Sequence, residues 1–211
     1  NQTTPTTTSE GLEESLVENV SSDAQDDTTA VVSEYYGTYK EEDFEIDYDE
    51  ASATTITFGT TTEISGEGAT IDGNLVSITQ GGTYVVTGTA TNSQLKIKVA
   101  DTEKVHLILA GVTIENDFGS AILIEEADKV ITTLVDGTVN QLTDGETYTN
   151  VSEEMNEDAV FYSKADLTIN GTGTLQVTGR YQNGLVSKDD LILISGTYHI
   201  DAPGDGIKGK D

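Results

Sequence analysis

The sequence has no cysteine and no tryptophan, and only two prolines and one methionine among 211 residues. Without cysteine the chain forms no disulfides, so its stability must come from a packed core. No apolar run approaches the roughly 20 residues that a membrane-spanning helix needs. Basic residues are also scarce, since 10 Lys and Arg stand against 38 Asp and Glu, a net charge of −28. That charge repels nucleic-acid phosphates and anionic lipids, which excludes both as partners, and it favours divalent cations.

The acidic residues that dominate the composition are spread unevenly along the chain. Residues 1–52 carry 15 acidic residues and one basic residue, and the other 23 acidic and nine basic residues give the remainder a charge of −14. We predict that residues 1–42, which are Thr-rich and then acidic, form an extended or disordered tether. Residues 44–50 (FEIDYDE) alternate apolar and acidic side chains, which is typical of an edge strand or an extended arm. The predicted globular domain therefore spans residues 43–211.

Short β-rich segments punctuated by Gly, Asn and Asp recur from Ile64 onwards, and two of them repeat clearly: ADLTINGTGTLQVTG (165–179) and DDLILISGTYHI (189–200). A polar–small–aliphatic step recurs at residues 120–122, 158–160, 183–185 and 205–207, with spacings of 38, 25 and 22. Periods of 22–25 residues fit one coil of a parallel β-helix, with about three short strands per coil, in which equivalent aliphatic residues stack. We therefore predict an all-β fold, a right-handed single-stranded parallel β-helix.

The predicted coils make three further expectations concrete. One core ladder is expected to contain Ile122, Val160, Leu185 and Ile207, and a second to contain Val130, Leu167 and Leu191. The spacing of 38 implies an insertion, which we place in a loop at residues 138–157. Because the sequence ends at Asp211 just as DGIKGKD announces another coil, we expect the β-helix to be truncated at that end, with unpaired strand edges.

Acidic and amide residues at equivalent positions of neighbouring coils predict a calcium site. Asp158, Asn183 and Asp205 form one such column, Asp166 and Asp190 belong to a second, and Glu154 lies in the acidic loop beside them. Like charges one strand spacing apart repel unless a cation neutralises them, and calcium takes oxygen ligands of these types. The alternative is that these side chains cap turns by hydrogen bonding to backbone amides.

Cationic and aromatic residues beside these columns are the candidates for ligand binding. Lys164 and Lys188 precede Asp166 and Asp190 in the sequence, Arg180 is the only arginine, and Tyr181 follows it. The lysines and Arg180 could bind sugar carboxylates, and Tyr181 could stack on a sugar ring. The alternative is that the cations form ion pairs with the carboxylates of adjacent coils.

From about Asp43 to Asp211 the chain resembles the bacterial family of secreted carbohydrate-binding domain-containing β-helix proteins. The resemblance is carried by GGTYVVTG (81–88), DTEKVHLILAGVTIEN (101–116), AVFYSKADLTINGTGTLQVTG (159–179), NGLVSKDDLILISGTYHI (183–200) and DGIKGKD (205–211). It implies a parallel β-helix similar to that of some pectate lyases, bound calcium, and binding to cellulose and to acidic polysaccharides of pectin such as polygalacturonate. It also implies a secreted or lipoprotein-like product at the bacterial cell surface, with room for a lipid anchor upstream of Asn1.

Three functions are consistent with these observations. The first is non-catalytic, calcium-assisted binding of cellulose or acidic polysaccharide outside the cell. The second is a polysaccharide lyase with Lys164, Lys188 or Arg180 as base, since proton abstraction beside a uronate carboxylate needs a base and a cation. The third is a structural or adhesive surface protein that assembles through the open end of its β-helix or by accepting the N-terminal arm of another copy.

Overall fold

The computed structural model describes residues 30–33, 37–149 and 155–210, with the backbone alone for residues 30–33 and Gly37. Residues 1–29 and 34–36 of the tether predicted for residues 1–42 lie outside these residues, as does the calcium candidate Glu154. The first strands are β1 (Ala30–Ser33), β2 (Gly37–Lys40), β3 (Thr54–Phe58), β4 (Glu63–Ser65), β5 (Ala69–Asp72), β6 (Leu75–Ile78), β7 (Gly82–Thr91), β8 (Gln94–Lys98) and β9 (Lys104–Asn116). They are followed by β10 (Ile122–Glu126), β11 (Lys129–Leu134), β12 (Val139–Asp144), β13 (Ala159–Ser163), β14 (Asp166–Gly171), β15 (Thr174–Thr178), β16 (Asn183–Ser187), β17 (Leu191–Leu193), β18 (Thr197–Asp201) and β19 (Ile207–Lys208).

The fold is all-β, as predicted. A single turn of 3₁₀ helix, Glu41–Phe44, is the one helical element in the part of the chain that the structure describes. No helix in that part is long and apolar enough to cross a membrane.

Three successive strand triplets repeat along the second half of the chain: β10–β11–β12, β13–β14–β15 and β16–β17–β18. Each strand pairs in parallel with its equivalent in the next triplet, so β10 pairs with β13, β11 with β14 and β12 with β15. One stack forms a seven-stranded sheet in the order β19-β16-β13-β10-β8-β6-β5. The other two meet at β9 in a larger sheet, whose path runs β17-β14-β11-β9-β12-β15-β18. The long strand β9 therefore serves both halves of the larger sheet.

Glycine at the bend of each layer allows one strand to continue into the next. Gly111 of β9 has φ 84°, in the left-handed region that glycine adopts without a steric penalty. Residues 104–109 of β9 pair with β11, and residues 113–116, after the bend, pair with β12. Gly171 (φ 88°) turns β14 towards β15 in the same way.

The sheets are mixed, and this differs from the purely parallel arrangement expected from the repeats. β3 pairs antiparallel with β4, β5 with β6, and β1 with β2. Strand structure in the body also begins at Thr54, before the predicted start at Ile64. The antiparallel pairs lie in the N-terminal part of the chain, where short connections reverse its direction; Gly73, in the two-residue turn between β5 and β6, has positive φ.

The core lies between the two sheets and consists of aliphatic residues in register. Val130, Leu167 and Leu191 align as predicted. In the other ladder Ile122, Leu185 and Ile207 are in register as predicted, but Phe161 takes the place of Val160 between Ile122 and Leu185. The prediction of a loop over residues 138–157 was also wrong in part, since this segment contains β12, whose Leu142 is buried and pairs with β9.

Residues 38–48 form an arm that crosses the outer face of β9, β11 and β14, and it precedes the body of the fold. Asp43, in the 3₁₀ helix, is fully buried against β11 and β14. Every residue of β11 is buried, because the core covers one side of this strand and the arm contacts the other. The boundary at residue 42/43 remains a prediction, and residues on both sides of it contact this face.

Candidate functional site

A cleft of about 470 Å³ lies on the outer side of the seven-stranded sheet, across β6, β8 and β10. Side chains alternate between the two faces of a strand, so Leu95 and Ile97 of β8 enter the core while Gln94 and Lys96 point outwards. The polar and aromatic residues that line the cleft are Asp72, Asn74, Asn92, Gln94, Lys96, Asn116, Phe118, Glu125 and Glu157. The cleft therefore offers amides, carboxylates, one ammonium group and one aromatic ring.

The carbonyl oxygen of Ser120 fixes two of the cleft amides. Gln94 Nε2 donates to this oxygen at 2.9 Å and Asn116 Nδ2 at 2.8 Å. Asn116 Oδ1 in turn accepts from the backbone N–H of Phe118 at 3.1 Å. The turn that follows β9 is thus held from inside, and it presents the Phe118 ring with 44% of its surface exposed.

Glu157 supports the same turn from the opposite side. Its Oε2 accepts from the backbone N–H of Ser120 at 3.3 Å, and the Ser120 hydroxyl donates to the carbonyl of Ala159 at 2.7 Å. Glu157 is buried, and burial raises the pKa of its carboxyl although hydrogen bonds from Ser120 oppose the rise. The hydrogen bonds around Ser120 therefore preorganise one wall of the cleft.

The charge in the cleft is predominantly negative. Lys96 Nζ lies 3.3 Å from Glu125 Oε2, and Lys98 contacts the other oxygen of the same carboxylate. Burial would raise the pKa of Glu125, but the hydrogen bonds from Lys98 and Lys96 hold it below its ordinary value. Asp72 and Glu157 add two further carboxyl groups, so the lysines do not make the cleft cationic.

Arg180 and Tyr181, both predicted to bind ligand, lie together near the turn that carries Phe118. The Arg180 guanidinium pairs with Glu115 at 3.2 Å and Asp117 at 3.6 Å. Tyr181 stacks on Tyr148, with ring centroids 4.6 Å apart and an interplanar angle of 28°. Tyr181 is 37% exposed. Tyr148 thus packs against one face of the partly exposed Tyr181 ring, and the stacked pair forms an aromatic platform.

The buried carboxylate of Asp144 holds this platform in place. It accepts from the Tyr148 hydroxyl at 2.7 Å and from the backbone N–H of Arg180 at 2.6 Å. Burial raises the pKa of Asp144 against these hydrogen bonds, and burial also raises the pKa of Tyr148. The backbone N–H of Thr149 donates to the Phe118 carbonyl at 3.0 Å, which ties the platform to the turn at the cleft.

The other two cationic candidates lie apart from the cleft amides. Lys188 Nζ is 3.3 Å from Asp158 Oδ2 and 5.4 Å from the centroid of the Tyr162 ring. Lys164 follows β13, where its backbone N–H donates to the Ile124 carbonyl at 2.9 Å. Ion pairing, the alternative considered from the sequence, therefore accounts for the contacts of Lys188.

Most polar groups of the first calcium column make capping and ion-pair contacts, whereas Asp158 Oδ1 is buried without a hydrogen-bond partner among the described residues. Asn183 Nδ2 donates to the Asp158 carbonyl at 3.0 Å, and Asn183 Oδ1 accepts from the backbone N–H of Asp205 at 2.8 Å. The Asp205 carboxylate pairs with Lys208 at 3.1 Å. Asn183 thus links the turns of three successive layers, which is the capping role that the sequence left open.

The second column brings carboxylates together. Asp166 and Asp190 meet Asp189, which the sequence analysis missed, and ligand oxygens of the three lie within 4.8 Å of one another. Burial raises the pKa of Asp166, and the charges of Asp190 and Asp189 raise it further. Asp166 is half-buried and the other two are exposed. The cluster lies where β13 and β16 lead into β14 and β17.

Comparisons with known proteins relate the chain to carbohydrate-binding domain-containing proteins. The family model of carbohydrate-binding domain-containing proteins matches residues 72–211. A protein of that description from Acetivibrio thermocellus is 34% identical over 137 residues, which cover 64% of this chain and 48% of the relative. The chain thus spans about half the length of this relative.

A solved structure is also similar. It is that of a polysaccharide lyase-like protein from C. thermocellum, a gadolinium derivative, with a TM-score of 0.65 and 31% identity. The match covers 69% of this chain and 60% of that one. Because the family model matches residues 72–211, the chain belongs to the family of carbohydrate-binding domain-containing proteins.

Proposed function

We propose that this chain binds polysaccharide without cleaving it, and that the cleft between Asn74 and Glu157 receives the sugar. The observation that carries the proposal is the preorganised wall around Ser120, where two amides and an exposed aromatic ring are fixed before any ligand arrives. Preorganisation lowers the entropic cost of binding because these side chains lose little freedom.

The chemistry of the cleft fits hydroxyl groups. Amides can both donate to and accept from a sugar hydroxyl, and the carboxylates of Glu125 and Asp72 can accept from it. An aromatic ring such as Phe118 offers apolar surface to the face of a pyranose. A neutral glycan such as cellulose can make these contacts directly, and the Tyr148–Tyr181 platform extends the surface available to a longer chain.

An acidic polysaccharide such as polygalacturonate requires a cation, because the cleft and the whole chain are negative. We infer that calcium supplies it at the cluster of Asp166, Asp189 and Asp190. Calcium binds oxygen at about 2.3–2.6 Å, so two of its ligands lie at most about 5 Å apart, a separation that the 4.8 Å limit of this cluster satisfies. Calcium held there would bridge protein carboxylates to uronate carboxylates.

We also infer that the parallel ladders of β10 to β19 are coils of a right-handed parallel β-helix. The triplets and their in-register parallel pairing support this, and the antiparallel pairs then belong to its N-terminal end. The proposed location is outside a bacterial cell or on its surface, where a polysaccharide ligand would be met.

Variants of the exposed aromatic residues test the proposal by affinity electrophoresis in cellulose derivatives and polygalacturonate, with calcium or with chelator. We expect Phe118→Ala and Tyr181→Ala each to weaken retention about 3- to 10-fold, the scale of one aromatic contact. Val139→Ala is the matched control, because Val139 is as exposed as Phe118, at 44%, but lies on β12. Unchanged retention in both aromatic variants would exclude this cleft and platform.

A polysaccharide lyase is the second candidate, favoured by the description of the similar solved structure as lyase-like. The candidate bases Lys188 and Arg180 are engaged with carboxylates, at 3.3 Å and 3.2 Å, which opposes a role in proton abstraction. Incubation with polygalacturonate and calcium, followed by ultraviolet absorbance of the unsaturated product, separates the two functions. Sustained product formation that Lys188→Ala or Lys164→Ala abolishes would replace binding with catalysis.

A further inference from the structure

The arm at residues 38–48 lies on the larger sheet, remote in topology from the cleft on the seven-stranded sheet. Its acidic 3₁₀ helix crosses β9, β11 and β14, and these strands present a set of buried polar residues to it. These are Lys129, Thr133, Thr168 and Asn170. Such residues are rarely buried unless they are partnered, and here the arm supplies many of the partners.

The Asp43 carboxylate is held in a complete carboxylate-binding site. Oδ1 lies 2.5 Å from Lys129 Nζ and accepts from the Thr168 hydroxyl at 2.7 Å. Oδ2 accepts from the backbone N–H of Lys40 at 2.7 Å. Asp43 has no exposed surface and Lys129 is 3% exposed, so this ion pair is shielded from water and screened little by salt.

Asn170 recognises the backbone of the arm. Its Nδ2 donates to the carbonyls of Asp43 at 3.0 Å and Glu45 at 2.8 Å. Its Oδ1 accepts from the Thr133 hydroxyl at 2.6 Å, which fixes the orientation of the amide. Two carbonyls spaced along one chain are a feature of peptide, so the sheet recognises main chain as well as charge.

A second acidic residue of the arm meets a second lysine. Glu42 contacts Lys104, and its other oxygen lies 3.7 Å from Lys129. Lys104 and Lys129 are in register on adjacent strands, so the two lysines form a short cationic row on an otherwise acidic molecule. The spacing of this row matches successive acidic side chains of the arm.

The arm carries little of the core. Phe44 and Ile46 point away from it, with 47% and 48% of their surface exposed. An exposed turn at Asp49–Ala53, closed by hydrogen bonds to the Asp49 carbonyl, joins the arm to β3. A segment that is bound through polar contacts and joined by an exposed turn resembles a tethered ligand more than a structural strand.

We propose that the outer face of β9, β11 and β14 is a binding site for an acidic peptide, and that a second copy of this chain can supply it through its own arm. Every copy carries the matching segment Glu42–Glu45. Within one copy, the covalent connection through the turn Asp49–Ala53 gives the arm an effective concentration on the order of millimolar. Exchange between copies therefore needs a high protein concentration. Net charge of −28 repels the copies, and salt reduces that repulsion.

The first experiment cuts the turn Asp49–Ala53 in the full chain. A protease recognition sequence is inserted between Glu50 and Ala51, the protein is cleaved, and size-exclusion chromatography shows whether the arm stays bound. We expect it to stay, and an excess of a synthetic peptide of residues 37–48 to displace it. The Asp43→Asn peptide should compete about 100-fold or more weakly, because it leaves a buried lysine unpaired. The Asp47→Asn peptide is the control, since Asp47 is exposed.

Two outcomes would overturn the peptide site. One is loss of the cleaved arm with no rebinding of the peptide at millimolar concentration. The other is equal competition by the Asp43→Asn and Asp47→Asn peptides. Displacement of the arm by oligogalacturonate but not by the peptide would reassign the face to acidic saccharide.

The second experiment tests exchange between copies of the uncut chain. Two differently tagged forms are incubated together at high concentration and at moderate salt, and one tag is captured. We expect the other form to be co-captured, and Asp43→Asn in both forms to reduce this about 10-fold or more. No co-capture at any concentration, with the cleaved arm still bound in the first experiment, would overturn exchange.

Discussion

The carbonyl oxygen of Ser120 accepts hydrogen bonds from two side-chain amides. One belongs to Gln94, 26 residues earlier in the chain, and the other to Asn116, four residues earlier. Polar residues of this protein often act in this way, by fixing a neighbouring layer. Asn183 links the turns around Asp158 and Asp205 by hydrogen bonds to backbone atoms. From sequence alone Asn183 was predicted to bind calcium, with capping as the alternative, because both roles need an oxygen at the same position of a turn.

The arm should detach as the pH falls through the titration of Asp43. Burial would raise the pKa of this carboxyl, but Lys129, Thr168 and the Lys40 backbone N–H hold it below its ordinary value of 3.8. A lowered native pKa stabilises the docked arm above 3.8, and this stabilisation is lost as the pH falls through the native pKa. The protection factors of residues 41–46 in hydrogen exchange should therefore fall once the pH drops below 3.8, relative to their values at neutral pH.

The control for this prediction is Asp43→Asn, in which that carboxyl no longer titrates. Its arm should be weakly protected at neutral pH and should lose little further protection below pH 3.8. Equal protection of the arm in the wild type at both pH values would contradict the assigned role of Asp43.

Among the elements, the strand triplets were predicted from the sequence and their details were not. The motif DLTI/DLIL placed Leu167 opposite Leu191 correctly, because both follow an aspartate at the start of a strand. The ladder through Val160 was displaced to Phe161 because both residues are apolar and buried, so hydrophobicity could not choose between them. The antiparallel pairs were missed because strands of three to five residues leave too little alternation to detect.

The cleft was missed for a different reason. Its residues are distributed over strands and turns from Asp72 to Glu157, and they meet only when strands with different connecting lengths are stacked. A signal was present in the amides that precede apolar strand residues, at Asn74 just before β6 and Gln94 at the start of β8; these become neighbours, since the Gln94 backbone N–H donates to the Asn74 carbonyl at 3.1 Å. Asp189 was missed because the acidic column was assigned to Asp190 alone, one residue further along.

The stability cost of replacing a glycine at a bend between strands should depend on the space around its Cα as well as on its φ angle. A Cβ on Gly171 would lie 2.2 Å from the Leu134 carbonyl oxygen, whereas a Cβ on Gly137 would meet nothing within 4 Å, and both residues have positive φ. Gly137→Ala should cost about 1–2 kcal/mol of unfolding free energy, the cost of a left-handed alanine. Gly171→Ala should cost clearly more, measured by urea denaturation. Equal midpoints for the two variants would show that the layers can separate at this bend.

At the scale of the whole molecule, charge decides which ligands can approach. The formal charge of −28 makes any polyanion dependent on bound cations and leaves neutral glycans unaffected. Calcium binding would also relieve the repulsion among Asp166, Asp189 and Asp190. The overall sign of this effect was clear from composition, whereas the position of the carboxylates required the stacked turns.

Calcium should bind and stabilise the protein in a pH-dependent way. The pKa of Asp166 is raised by burial and then by Asp190 and Asp189, and calcium needs the ionised form, so affinity should rise with pH through that pKa. Isothermal titration calorimetry should show Asp190→Asn binding about 10-fold or more weakly, with Asp101→Asn unchanged as the control. At 100 times Kd, calcium should add about 2.7 kcal/mol to the unfolding free energy. Identical melting curves in calcium and in chelator would contradict the site.

The docking of the arm on β11 and β14 also determines how the molecule would respond to a pulling force. These strands belong to middle layers of the stack, whereas the chain continues from the arm to β3, at the other end of the sheet order. A force applied from the N-terminal side would therefore enter the stack at its middle, through Asp43 and Lys129, before it reached the first hairpins. The contact between Asp43 and Lys129 would break before the strand pairs do. The arm would then be released and would lengthen the molecule, while the stacked layers stayed intact.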